Sequence, residues 1–239
     1  MKALKRFVYR NWQKVHGVRR MELSVLTRHL ELGGGERILD VGSGKGAFCG
    51  VLARGGHDVV GVDPSAAAAG IAKGFVNPRG RFVLGTGEAL PFSSERFDRA
   101  VSVCVLEHTA DDARVLSEIR RVLKPGGVLA LTVDCLDSPY VPEAFRRRYR
   151  TEYRCNQFYS DARLREMLTA AGFEVLETEY LFSGRLSVAI LRFGSLFHFR
   201  NVFILLFPLL YPLLLLDRAI GGRKPGGMIL AAKARRLSP

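Results

Sequence analysis

From Leu39 to Gly46 the chain reads Leu-Asp-Val-Gly-Ser-Gly-Lys-Gly, with glycines at every second position (Gly42, Gly44, Gly46) and an acidic residue, Asp40, just before them. Glycines where an apolar strand turns into a helix leave the backbone bare, so a ligand can approach N–H groups that side chains would block. The spacing differs from the Gly-x-Gly-x-x-Gly of a nicotinamide-binding turn. A second apolar run ends on Asp63, whose carboxylate is placed to accept both hydroxyls of a ribose. Further on, Glu107 and His108 follow a fourth apolar run. Of these, His108 is the better base, because an imidazole titrates near neutrality. Their plainer roles are a pocket-lining ring for His108 and a cap or ion pair for Glu107. Cys49, Cys104, Cys135 and Cys155 form no Cys-x-x-Cys pair, which argues against a metal or disulfide framework and for a reducing cytoplasm.

The elements that must position these groups alternate in type. Apolar, β-branched runs at Arg37–Val41, Asp58–Val62, Arg81–Leu84, Phe97–Val105 and Gly127–Asp134 read as strands with helices between them, the pattern of βαβ units. In the helix Asp111–Leu123, Val115, Leu116, Ile119, Val122 and Leu123 make an apolar stripe, capped by Asp111 or Asp112 and stopped by Pro125-Gly126-Gly127. An Arg- and Tyr-rich stretch, Tyr140–Tyr159, reads as an irregular connection. A helix then runs from the capping Ser160 to Gly172, followed by strands at Phe173–Tyr180 and Gly227–Arg235. The expected fold is α/β, a doubly wound, mostly parallel sheet of seven strands.

Four segments together resemble the class I S-adenosylmethionine-dependent methyltransferases, within the type 11 group that includes quinone and small-molecule methyltransferases. They are Ile38-Leu-Asp-Val-Gly-Ser-Gly-Lys-Gly46; Gly61-Val-Asp-Pro-Ser65; Gly85-Thr-Gly-Glu-Ala-Leu-Pro-Phe92 followed by Phe97-Asp98; and Val105-Leu-Glu-His108 followed by Val122-Leu-Lys-Pro-Gly-Gly127. The resemblance implies S-adenosylmethionine as cofactor. Its methionine end would lie on Gly42, Ser43, Gly44 and Gly46 with Asp40 holding the ammonium, its ribose on Asp63 beside Pro64, and its adenine along Thr86, Gly87 and Glu88. Thr86 stands where relatives commonly carry an aspartate, and a hydroxyl accepts more weakly than a carboxylate. The Asn/Asp-Pro-Pro-Tyr motif of nucleic-acid amino methylation is absent at the end of the fourth strand.

Composition is ordinary for a globular chain of 239 residues, at 48% hydrophobic and 25% charged, which excludes a disordered or disulfide-stapled protein. The net charge of +13 is concentrated at the ends: residues 1–20 hold seven basic and no acidic groups. Residues 1–30 therefore read as a basic helical segment, with Leu4, Phe7, Val8 and Trp12 among its charges, preceding a methyltransferase domain over 31–239. In the fold that the resemblance implies, the connection between the last two strands lies at the edge where substrates bind. Here it takes residues 181–226 and holds Val202–Leu216, fifteen uncharged residues flanked by Arg185, Arg192, Arg200, Arg218, Arg223 and Lys224. As a helix that run covers roughly 22 Å, short of a ~30 Å hydrocarbon core, and Pro208 and Pro212 would break it. An element lying in an anionic membrane surface fits better than a span.

The expectation is a cytoplasmic enzyme, monomeric or homodimeric and peripheral on the inner face of the cell membrane. Its small-molecule acceptor would be lipophilic, a quinone, isoprenoid or lipid. Two other readings stand beside it: a soluble metabolite with the insertion as a lid, and a non-catalytic cofactor-binding subunit that anchors a partner. A leucine run is a poor nucleic-acid surface, which argues against RNA.

Overall fold

A computed structural model describes residues 17–72, 80–196, 210–217 and 226–238. Seven strands form one sheet: β1 (Arg37–Val41), β2 (Asp58–Asp63), β3 (Gly80–Leu84), β4 (Phe97–Val103), β5 (Leu123–Asp134), β6 (Phe173–Leu181) and β7 (Ile229–Arg236), in the order β3-β2-β1-β4-β5-β7-β6. All neighbouring pairs are parallel except those of β7, which runs antiparallel to both β5 and β6. The expected doubly wound, mostly parallel sheet is present.

Alternate strand residues feed opposite faces, as the pleat requires. Leu39, Val41, Leu129 and Leu131 join one apolar cluster with α4 (Asp112–Val122) and α6 (Asp161–Ala170). On the other face, Ile38, Val101 and Ala130 pack with α1 (Gly17–Leu30) and α2 (Ala47–Arg54). The short α3 (Ala66–Ala72) follows β2. As expected, Asp111 caps α4 by accepting from the Arg114 N–H, and Ser160 caps α6 by accepting from the Arg163 N–H.

Two elements differ from expectation. The stretch 140–159 is not irregular: it contains α5 (Glu143–Tyr153), which follows the extended Pro142 and ends on Arg154 in the left-handed region. Phe145, Tyr149 and Tyr153 recur every fourth residue on it and supply the wall of a cavity, with the arginines between them. The helix expected to reach Leu123 stops at Val122, and β5 starts at once, because Leu123 pairs with Phe97 before the Pro-Gly-Gly irregularity and Val128 resumes the ladder opposite Arg99.

The described part of the basic N-terminal segment, α1, is built into the domain: Met21, Val25, Leu26 and Leu30 are all buried. Residues 1–16 lie outside the described residues, with Leu4, Phe7, Val8 and Trp12. So do Arg200, Arg218, Arg223 and Lys224, and positions 202–209 of the leucine-rich run. Within the insertion, α7 (Arg185–Leu196) and a helical stretch over 210–217 pack with α1 and α5 on a second core that includes Val25, Phe145, Val188, Leu191, Leu214 and Met228. No helix among the described residues is long and apolar enough to cross a membrane.

Candidate functional site

At the carboxyl end of β1 the glycine turn folds onto β2: the N–H groups of Gly42 and Ser43 both donate to the Val62 carbonyl, at 2.8 and 3.0 Å. Gly42 has φ of 70°, and a Cβ there would lie 2.3 Å from Val105 Cγ2. Gly44 has φ of 50°, and its Cβ would meet nothing within 4 Å. The turn is therefore packed at its base and bare at its tip, the form of a cradle that takes a ligand against backbone.

Asp63 spans this turn from the end of β2. Its Oδ2 accepts the Gly44 N–H at 2.8 Å and its Oδ1 the Ser65 N–H at 2.9 Å. Pro64, beside it, is exposed. The Ser43 hydroxyl is buried with no hydrogen-bond partner, a polar atom available at the base of the cradle. Asp40 lies below, almost fully buried and accepting from the Cys49 thiol at 3.1 Å. Burial pushes its pKa up to about 7.

The third segment comes alongside through the Gly85 N–H, which donates to the Asp63 carbonyl at 3.3 Å. Thr86 pairs with Ala89 across a tight turn, Gly87 abuts Val115, and Glu88 accepts from the Ala110 N–H at 3.3 Å. The structure thus brings the expected cofactor residues Asp40, Gly42, Ser43, Gly44, Gly46, Asp63, Pro64, Thr86, Gly87 and Glu88 to one edge of the sheet. A charge-assisted clamp that sequence reading missed fixes the loop: Glu118 accepts the Leu90 N–H at 2.8 Å and pairs with Arg121, which donates to the Leu90 and Phe92 carbonyls at 2.9 and 2.6 Å. Its signal was a Glu and an Arg three apart on α4. Glu118→Ala leaves the Leu90 N–H and Arg121 without that carboxylate, and is expected to cost ~2–4 kcal/mol of stability in a denaturant melt.

Glu107 and His108 sit on a 3-10 turn, Leu106–His108, after β4. The two point to different places. His108 is exposed, with Nδ1 3.4 Å from the Arg154 carbonyl, and it borders a cavity of about 300 Å³. Glu107 is fully buried: Oε1 accepts the Asp134 N–H at 3.1 Å, and Oε2 has no partner. Asp134, Glu22, Cys104, Tyr149 and Tyr153 also line the cavity, and sequence reading named none of them for the site. Tyr149 and Tyr153 sat in a stretch read as irregular, and Glu22 reaches the cavity only because α1 packs on the sheet. Burial pushes both Asp134 and Glu107 upward; repulsion by Asp134 adds to the rise of Glu107, and repulsion by Glu22 to that of Asp134.

A family profile described as a methyltransferase domain matches residues 39–131. A ubiquinone biosynthesis O-methyltransferase of Azorhizobium caulinodans is 34% identical over 60% of this chain and 60% of its own. An uncharacterized methyltransferase of Synechocystis sp. is 37% identical over 67% of this chain and 77% of its own. The chain spans 60% of the length of the first of these relatives and 42% of that of a mycobacterial one. Among solved structures, a Haemonchus contortus phosphoethanolamine N-methyltransferase in complex with S-adenosylmethionine superposes with a TM-score of 0.69 at 22% identity, covering 92% of this chain and 53% of that one. The bare glycine tip, the carboxylate that bridges it and the unpartnered Ser43 hydroxyl fit that cofactor. Strand order, cradle and relatives converge, and the chain belongs to the class I S-adenosylmethionine-dependent methyltransferases.

Proposed function

We propose that the chain methylates a lipophilic small molecule that it takes from an anionic membrane surface on the cytoplasmic face. The observation that carries this reading lies in the insertion. Its α7 walls the cavity through Leu191 and Ser195, while its 210–217 stretch buries Leu214 and exposes Leu213, Leu215 and Leu216 at 39%, 44% and 52%. Phe193 and Leu186 on α7 are exposed as well. Apolar side chains held outward beside Arg185 and Arg192 suit an anionic interface, into which leucines insert and near which each cation contributes ~1 kcal/mol. The relative named for ubiquinone biosynthesis supports a lipophilic acceptor.

In this reading Asp63 holds the ribose, Asp40 and the Gly42–Gly46 turn hold the methionine end, and Thr86–Glu88 lie along the adenine. The cofactor, when bound, supplies an electrophilic methyl group. The protein's part is mostly alignment of the acceptor, since methyl transfer from a sulfonium disperses charge. His108 at the rim, or the carboxylates of Asp134 and Glu107 below it, take the acceptor's proton. The second reading, a soluble acceptor under a lid, is favoured by the same α7 wall.

Flotation separates them. The triple variant Leu213→Ser, Leu215→Ser, Leu216→Ser is expected to lose at least ~90% of its binding to vesicles containing phosphatidylglycerol, since each leucine inserted into the bilayer is worth ~1.5–3 kcal/mol. Label from methyl-labelled cofactor is expected in the organic phase of a lipid extract. Unchanged flotation, with label only in an aqueous metabolite pool, would make the insertion a lid. Cofactor binding without turnover on either pool would favour an anchoring subunit.

A further inference from the structure

We infer that the acceptor carries a protonated amine, and that its ammonium seats on the carboxylates that line the floor of the cavity, Asp134 with Glu22 beside it, Glu107 lying buried behind Asp134. This rests on the reading of the cavity as the acceptor site of a methyltransferase, and it is independent of membrane docking.

The floor is short of positive charge. Arg19, which lines the cavity, is engaged by Glu22 at 3.0 Å, and the other basic group there, His108, is at the rim. Glu107 and Asp134 form no ion pair among the described residues. Glu107 Oε2 is fully buried and unpartnered. Asp134 receives only long bonds, from the Tyr149 hydroxyl at 3.4 Å and the Cys155 thiol at 3.5 Å. One ligand atom of each of Cys104, Glu107 and Asp134 lies within 4.8 Å of the others. Burial disfavours the charge on both carboxylates, Asp134 repels Glu107 and Glu22 repels Asp134, so a cation admitted beside Asp134 relieves a cluster of three acidic groups that Arg19 alone does not balance.

The walls say which cation. Tyr149 and Tyr153 lie with ring centroids 4.3 Å apart beside Phe145, and aromatic faces attract an ammonium. Beyond them the cavity continues along Leu136, Leu191, Met228 and Ile229. A bare metal ion has no use for an apolar chamber, whereas an amine with a hydrocarbon body fills both parts. A neutral hydroxyl would leave the floor uncompensated, and an anion would be repelled by it.

The step balances. One N–H of the ammonium breaks as its proton passes to the Asp134 carboxylate. The freed lone pair attacks the methyl carbon, and N–C forms as C–S breaks, its electrons staying on sulfur as a neutral thioether. The product is a methylammonium, and the carboxylic acid returns its proton to water.

The test uses the full chain with S-adenosylhomocysteine, so that nothing turns over, and titrates hexylamine, hexanol and hexanoate at pH 7 by calorimetry. Hexylamine is expected to bind at least ~10-fold more tightly than hexanol, and hexanoate more weakly than either. Asp134→Asn and Glu107→Gln are expected to bring the amine to within ~2-fold of the alcohol while S-adenosylhomocysteine affinity stays unchanged, which also reports that they fold. Tyr153→Leu, a change to a half-buried ring, provides an independent reading and should weaken hexylamine alone. Equal binding of hexanol, an amine preference that survives both carboxylate variants, or a stoichiometric divalent metal in the purified protein would overturn the inference. Loss of S-adenosylhomocysteine binding in the parent protein would instead count against the methyltransferase reading itself.

Discussion

Asp63→Ala is expected to raise the dissociation constant for S-adenosylmethionine by ~10²-fold or more, with little change in thermal stability. The carboxylate already accepts two N–H bonds, from Gly44 and Ser65, so it fixes the tip of the glycine turn before any ligand arrives. Its proposed second task is to accept the ribose hydroxyls. Hydrogen bonds to a charged group are worth ~1.5–3 kcal/mol each, so losing two gives a factor of ~10² to 10⁴. The side chain is only half-buried, and the sheet beneath it does not depend on it. Asp63→Asn keeps one acceptor oxygen but trades the other for a donor that faces a backbone N–H, so it should fall between the two. Calorimetry with S-adenosylmethionine decides: an Ala variant binding within threefold of the parent protein would remove Asp63 from the ribose site.

How much of this was legible beforehand depended on whether the determinant was local. The central strands announced themselves because a parallel sheet covered on both faces needs near-continuous apolar runs, and Ile38–Val41, Val59–Val62 and Val128–Val133 supply them, broken only by Asp40, Gly61 and Thr132. The glycine turn was legible because its requirement is a backbone one, met by glycine alone at Gly42, where a side chain would strike Val105. The helix at Ser160 could be read from its cap.

The acceptor cavity could not be read in that way. Its chemistry is assembled from α1, the turn after β4, the end of β5 and α5, which lie far apart in the chain. Glu22 looks like a surface residue of a basic segment until α1 packs on the sheet. In α5, four arginines around three aromatic residues give no apolar stripe wide enough to mark a helix, because the aromatic face lines a cavity at the margin of the second core. Glu107 was named for its position, yet only the fold reveals that it is sealed off and shares its surroundings with Asp134. The insertion divides similarly: its composition was evident, but that Leu214 turns inward while its neighbours turn outward is a fact of packing.

Stability and cofactor affinity are expected to run in opposite directions as pH rises from 6.5 to 8. Asp40 has its pKa pushed up to about 7 by burial, against an ordinary 3.8, so between these values the folded chain binds a proton that the unfolded chain has released. Stability must then fall with rising pH across that window. Glu107, raised by burial and by Asp134, and Asp134, raised by burial and by Glu22, act in the same sense. His29 opposes them, since burial pushes it down to about 4 and its contribution grows with pH, but only up to the ordinary imidazole value near 6.5. Above that point the carboxylates prevail, for a loss of ~1–2 kcal/mol by pH 8 and a fall of a few degrees in Tm. Asp40→Asn and Glu107→Gln, which keep an acceptor for Cys49 and for the Asp134 N–H, should each flatten the decline. The cofactor's ammonium, in contrast, needs Asp40 ionised, so S-adenosylmethionine should bind ~10-fold more tightly at pH 8 than at pH 6, a dependence that Asp40→Asn abolishes. A carboxylate that merely caps the core would produce the first slope without the second. Parallel slopes in the two measurements would therefore take Asp40 out of the cofactor site while leaving its burial intact.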